Sequence, residues 1–285
     1  MVWLPRWGCN GMITSAQKLL MARAGVIPDA AGWDISTASY VQNFSVSAQE
    51  TSPTGVFFKP DGTKMYILGG SGDDVNEYSL SSAWDISTAS YVQNFSVSTQ
   101  DAGPQGIFFK PDGTKMYVVG SDNDAAYEYS LSSAWDISTA SYVQNFSVSA
   151  QETNAAGLFF KPDGTKMYII GYSGDDVNEY DLSTAWDIST ASYVQNFSVS
   201  AQDRAPTALF FKPDGTKMYV LGVVGIDVNE YSLSSAWDIS TASYVQNFSV
   251  AGEETNPQSV FFGDNGTKMY IIGYTGDTVY QYDIG

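Results

Sequence analysis

Five tryptophans, Trp33, Trp84, Trp135, Trp186 and Trp237, stand 51 residues apart, and each opens the same run, WDISTASYVQNFSV. One unit of this length cannot bury its own apolar surface, so the copies must stack on one another, and the period governs the architecture. Helical solenoid repeats would space their apolar residues by the turn of a helix. Here the apolar runs are short, rich in Tyr, Phe, Val and Ile, and broken by Gly, Pro and Asp, which is a strand pattern.

The first repeat predicts four strands. SYVQNFSVS at 39–47 is one, TGVFFKP at 54–60 and TKMYILG at 63–69 form a hairpin across Asp61-Gly62, and VNEYSLS at 75–81 is the fourth. Pro60 suits the first corner of the turn, and Gly62 the left-handed position that follows. Phe57-Phe58 and Met65-Tyr66-Ile67-Leu68 are apolar on both faces, as a sheet covered on each side requires. The small residues Gly55, Gly106, Gly157, Ala208 and Ser259 then fall where innermost strands converge on an axis. Trp33, Tyr40, Phe44 and their copies read as core. The fold class is all-β: a five-bladed β-propeller of four-stranded blades. The chain starts on an outer strand and ends on three inner ones, so a 1+3 latch is expected to close the ring and remove free sheet edges.

Residues 1–32 read as an N-terminal extension and 33–285 as the propeller, with repeats starting at 33, 84, 135, 186 and 237. TSAQKLLMARA at 14–24 predicts a short helix, capped by Thr14 or Ser15 and ended by Gly25 and Pro28. Lys18 and Arg23 interrupt the apolar stretch that a secretory signal needs. Alone this helix is too short to persist in water, so it is expected to pack on an end of the ring or in its channel. No run approaches the roughly 20 apolar residues of a membrane helix, so membrane insertion is not expected.

The formal charge is -18, from 31 acidic and 13 basic residues, which repels nucleic acid and anionic lipid. There is one cysteine, Cys9, and no histidine. That excludes an internal disulfide framework and removes the usual zinc sets and His-based triads. No cofactor is implied, and the propeller is expected to be a monomer.

Charge is also polarised between the two ends of the ring. The end with the Asp-Gly turns and the WDIS connections, here the bottom, holds nine of the 13 basic residues, the lysines from Lys59 to Lys268. The opposite end, the top, carries 14 acids: Glu50, Asp73, Asp74, Asp101, Asp122, Asp124, Glu152, Asp175, Asp176, Asp203, Asp227, Glu253, Glu254 and Asp277. Arg204 is the one base among them. These top loops also vary from repeat to repeat, while KPDGTK is unchanged in four copies and WDISTAS in all five. The top is therefore the expected recognition face, suited to a cation or a basic partner. Asp73 and Asp175, in SGDD turns, are weak candidates for calcium, because the full ladder of oxygen ligands is missing. Few aromatics fall in the top loops; Tyr127, Tyr172, Tyr274 and Tyr280 are the candidates for stacking on a sugar.

The motif FFKPDGTKMYILG at 57–69, with its copies, resembles the repeats of lactonase-type (YVTN) β-propellers. The last copy departs to Gly263-Asp264-Asn265-Gly266. A short helix leading into such repeats is also similar to uncharacterised phage and marine-microbial proteins. The resemblance implies the blade hairpin and leaves activity open, since that family mixes enzymes, binders and surface proteins. The innermost strands offer Asp264 as their only carboxylate, and Glu77, Glu128, Glu179 and Glu230 each recur beside a lysine, as structural pairs do. The expectation is a chain that is not an enzyme. It would serve as a recognition or display module for a protein or glycan ligand, in a virion or at a cell surface. A multivalent sugar-binding lectin is the alternative, and a lactonase-like or glycosidase-like hydrolase the second alternative.

Overall fold

The computed structural model describes residues 32–285, so the predicted helix at 14–24 lies outside the described residues. The propeller opens with β1 (Ser39–Ser45), after which four blades follow whole. The first holds β2 (Pro53–Phe58), β3 (Lys64–Gly69), β4 (Asp74–Leu80) and β5 (Ala89–Ser96); the second β6 (Pro104–Phe109), β7 (Lys115–Gly120), β8 (Ala125–Leu131) and β9 (Ala140–Ser147). The third holds β10 (Ala155–Phe160), β11 (Lys166–Gly171), β12 (Asp176–Leu182) and β13 (Ala191–Ser198). In the fourth are β14 (Pro206–Phe211), β15 (Lys217–Gly222), β16 (Asp227–Leu233) and β17 (Ala242–Ser249). The fifth sheet runs β18 (Pro257–Gly263), β19 (Lys268–Gly273), β20 (Thr278–Asp283) and then β1, so strands from opposite ends of the propeller pair in one blade. All pairs are antiparallel. The innermost strands β2, β6, β10, β14 and β18 neighbour one another around the axis. The 1+3 latch and the five blades are as the repeat predicts.

Each tryptophan joins two blades. Trp135 stacks on Phe109 of its own blade at 5.6 Å and reaches Phe57 and Tyr66 of the preceding one at 6.4 Å each. Its carbonyl accepts hydrogen bonds from Tyr66 Oη at 2.7 Å and Lys64 Nζ at 2.8 Å. The same tyrosine bond recurs at all five junctions, including Tyr270 to Trp84 and Tyr219 to Trp33. A buried phenol needs such an acceptor, and here the acceptor belongs to the next blade. The tryptophans sit at positive φ, between 64° and 68°, a strained region for a bulky side chain. What holds them there is the hairpin turn: Trp135 N–H donates to the Gly113 carbonyl at 3.0 Å, and its indole lies against that glycine.

A second set of bonds crosses the junctions lower down. Glu128 is 2 % exposed and takes Lys115 Nζ at 2.6 Å and Gln144 Nε2 at 2.9 Å; Gln144 also reaches Asp187 of the next blade at 2.8 Å. Glu77, Glu179 and Glu230 repeat the arrangement. In the fifth blade Gln281 stands at this place and Lys268 turns to Asp283 at 2.9 Å. These glutamates are structural pairs, as their spacing suggests.

One expectation fails. Tyr40 and its copies are not core: they are 43–44 % exposed on the outer strands. Trp33 is buried and Phe44 half-buried. In β1, Tyr40 pairs with Tyr282 and Gln42 with Gln281, leaving Val41 as the extra residue of a bulge. The bulge turns Tyr40 onto the face opposite to Phe44.

Candidate functional site

On the axis, the third residues of the innermost strands, Gly55, Gly106, Gly157, Ala208 and Ser259, converge closely enough that only small side chains fit. A Cβ on Gly106 would lie 2.9 Å from the Gly157 backbone. Below this, Phe57, Phe108, Phe159, Phe210 and Phe261 close into a ring of edge-to-face contacts, with centroids 5.1–5.4 Å apart. That geometry matches the preferred packing of aromatic quadrupoles, and it divides the channel in two. The upper part holds about 30 Å³, room for water and little else, beneath a mouth that includes Thr54, Gln105, Thr207 and Gln258. The lower part is an apolar funnel of about 250 Å³, lined by the phenylalanines, Trp33, Trp84 and the turn prolines Pro60, Pro111 and Pro213. The paired phenylalanines of each FF dipeptide signal a buried strand. Their closure into a ring depends on fivefold convergence that no single repeat reveals.

The top loops are built around buried carboxylates. Glu152 is fully buried and accepts backbone N–H bonds from Asn154 at 2.7 Å, Ser173 at 3.0 Å and Gly174 at 3.2 Å. One side chain thus ties the loop before β10 to the loop between β11 and β12. Glu50 does the same with Ser52, Ser71 and Gly72. Asp101 takes Gly103 N, Asn123 N and the Tyr127 hydroxyl, and Asp203 takes Ala205 N and Gly225 N. Glu254 takes Asn256 N and Thr275 N, and its Oε2 has no partner. Asp74, Asp176 and Asp227 are buried too, each held by two asparagine amides.

Eight of the acids predicted for the recognition face therefore lie inside the loops they organise. Asp122 and Arg204 are exposed, and Asp73, Asp124, Asp175, Glu253 and Asp277 half-buried. Asp73, Asp124, Asp175 and Asp277 occupy equivalent left-handed positions with φ of 46–48°, and each has a buried Oδ1 without a partner. The fourth blade has Ile226 there. Among the described residues no group of three or more Asp, Glu or Cys side chains converges as a metal site would, Asp73 and Asp175 included. Of the aromatics in the top loops, Tyr127 and Tyr280 are buried and Tyr172 and Tyr274 half-buried.

The two ends titrate in opposite directions. Burial, followed by neighbouring carboxylates such as Asp122 and Glu50, pushes Asp73 above the usual carboxylate range. Burial also raises Asp74, Asp124, Asp176, Asp227 and Asp277. At the bottom, Asp61, Asp112 and Asp163 are held down to about 2; burial opposes this, and the bonds from Lys59, Lys110 and Lys161 and from the turn threonines outweigh it. A raised pKa means that the native state binds its proton first, so stability falls as pH rises through the window between about 4 and the raised value. A depressed one contributes above about 4 and is lost as pH falls toward 2. The melting temperature is therefore expected to rise as acidification carries the pH through the raised values toward about 4, then to fall between about pH 4 and 2. Calorimetry across that range checks it; a monotonic fall from neutral pH would contradict the first half.

No protein-family model matches the chain, and no curated protein does. Solved structures do share its fold. One is a protein provisionally assigned as a 6-phosphogluconolactonase from Bacteroides uniformis, with a TM-score of 0.51 and 14% identity over 81% of this chain and 66% of that one. Another is a luciferin-regenerating enzyme, with a TM-score of 0.52 and 14% identity over 86% of this chain and 95% of that one. The chain thus spans less than two thirds of the length of the first. These likenesses correct the expectation that the chain is not an enzyme: both structures carry enzyme names, so the architecture gives no ground for excluding catalysis. At this identity the likeness shows the fold, a β-propeller of five four-stranded blades in this chain.

Proposed function

We propose that this propeller is a recognition module whose top face binds a cationic partner, a basic segment of another protein. The observation that carries the reading is the construction of the top loops. Their conformation is fixed from within by Glu50, Asp101, Glu152, Asp203 and Glu254, so the outward positions are presented in a preorganised state. Six acids remain outside the loop interiors, Asp73, Asp122, Asp124, Asp175, Glu253 and Asp277, against Arg204 alone in these loops, and the loop residues beside them differ from blade to blade. Rigid loops, varied tips and one sign of charge are what selective electrostatic binding requires.

The test uses a Lys-rich peptide titrated into the full chain. The comparison is a variant with Asp73, Asp122, Asp124, Asp175, Glu253 and Asp277 changed to the corresponding amides. Binding is expected to weaken about tenfold or more in the variant, and to weaken similarly in the intact protein between low and about 0.5 M salt. Equal affinity of the two proteins would remove the top face as the site. Because lactonase names occur among the fold neighbours and in the repeat resemblance, hydrolysis of a 6-phosphogluconolactone is measured alongside. Turnover would replace this reading with a catalytic one.

A further inference from the structure

The outer wall carries a repeated aromatic cleft that the top-face reading does not use. Between the outer strands of the fifth and first blades, Phe44, Tyr78 and Tyr91 meet edge to face, with centroid separations of 5.7 and 5.8 Å. Tyr78 is the floor, 1 % exposed, with its hydroxyl donating to Gln49 Oε1 at 3.2 Å. Tyr91 forms the open wall at 44 % exposure, beside Val92 at 48 %. Asn94 is exposed on the same face; in the next cleft the equivalent pair bonds directly, Tyr142 Oη donating to Asn145 Oδ1 at 3.3 Å. The same aromatic triad closes in all five clefts.

Folding accounts for part of this identity and leaves the rest. Gln42 bonds Asp85 and Gln281, Phe44 packs on Tyr78, and Val46 is fully buried, so these positions are constrained from inside. The open faces of the tyrosines and the bulge valines satisfy nothing in the protein. They are nevertheless the same in all five repeats, while the top loops of those repeats have diverged. Two features define the occupant. The bulge at each valine bars another strand from pairing along the edge. The strand SYVQNFS carries no charge in any copy, on a protein of net charge -18, so the wall suits a neutral ligand.

We propose that the five clefts bind neutral saccharides, one pyranose to each. The C–H face of the ring lies on the exposed tyrosine (Tyr40, Tyr91, Tyr142, Tyr193 or Tyr244), and its hydroxyls meet serine hydroxyls and the neighbouring asparagine Oδ1, since the Nδ2 groups of Asn94, Asn196 and Asn247 are held by Asp74, Asp176 and Asp227. An aromatic ring with a polar tip, flanked by an amide, is chemically matched to a surface that is apolar on its face and polar at its rim. Five weak sites around one wall then hold a dense glycan surface by avidity.

The test probes the full chain with an array of neutral hexose and N-acetylhexosamine oligosaccharides. The oligosaccharide retained best is then titrated calorimetrically. The exposed tyrosine is changed to serine in one, three or all five blades. The stoichiometry is expected to fall from five to four, two and zero, and retention on a dense glycan surface by about 100-fold or more in the fivefold variant. Tyr→Phe at the same positions keeps the ring and is expected to keep the stoichiometry; should the fivefold serine variant fail to fold, Tyr91→Ser alone still reads five against four. Absence of any neutral glycan from the array overturns the proposal. So does a stoichiometry that ignores the serine changes, or one that collapses with the top-face amide variant instead.

Discussion

Replacing Gly113 by valine is expected to cost about 2–5 kcal/mol of folding stability, the sum of a left-handed backbone forced on a β-branched residue and a clash with packed neighbours. Gly113 has φ +74°, and a Cβ there would lie 2.4 Å from the Trp135 indole. The indole cannot retreat, since it stacks on Phe109 and on Phe57 and Tyr66 of the preceding blade. Urea melts of the valine variant measure the loss. Adding Trp135→Ala to Gly113→Val separates the two causes: the clash disappears and the backbone strain stays, so the valine should cost only about 1–2 kcal/mol in that background. A wild-type-like midpoint for Gly113→Val would mean that the hairpin turn is free to move away from the tryptophan.

Truncating Glu152 to alanine is expected to cost about 1–3 kcal/mol, the range for leaving hydrogen-bond donors without their acceptor. The substitution leaves the amides of Asn154, Ser173 and Gly174 without their acceptor. Glu152→Gln should lose less, because the amide oxygen can still accept from Asn154 and Ser173 while its NH₂ group meets Gly174. Hydrogen exchange gives the local signature: these three amides should lose protection before the β10–β12 ladder does. Retained protection in Glu152→Ala would show that the loops are held by other contacts, and the preorganised top face would lose its basis.

The period of the tryptophans made blade number and latch legible, because both follow from counting strands, and the Pro-Asp-Gly turn fixed the hairpin because its backbone demands are local. The role of Glu152 was not legible. Its partners Ser173 and Gly174 stand about 20 residues away, and a loop acid reads as solvated until the second loop is folded over it. Tyr40 was misread for a different reason: simple alternation through SYVQNFS puts Tyr40, Gln42 and Phe44 on one face, and the bulge at Val41 moves Tyr40 to the other. Alternation carries no mark of a bulge. Activity was the least legible of all, since the inner strands lack paired carboxylates and yet the fold is shared with proteins named as enzymes.

The closing strand also sets a problem of assembly. During synthesis β1 is made before any of its blade, and Tyr40 must wait for Tyr282. At about 5–20 residues per second that delay is roughly 10–50 s. Meanwhile β5, β9, β13 and β17 appear, each ending in the same SYVQNFS, and the waiting strand can take any of their places beside β4, β8, β12 or β16. Only the last sheet is left short when it does. A chain trapped that way finds its missing strand most readily on a second chain in the same state, so refolding at high concentration should yield strand-exchanged oligomers of fully formed blades, and dilution should return the single ring.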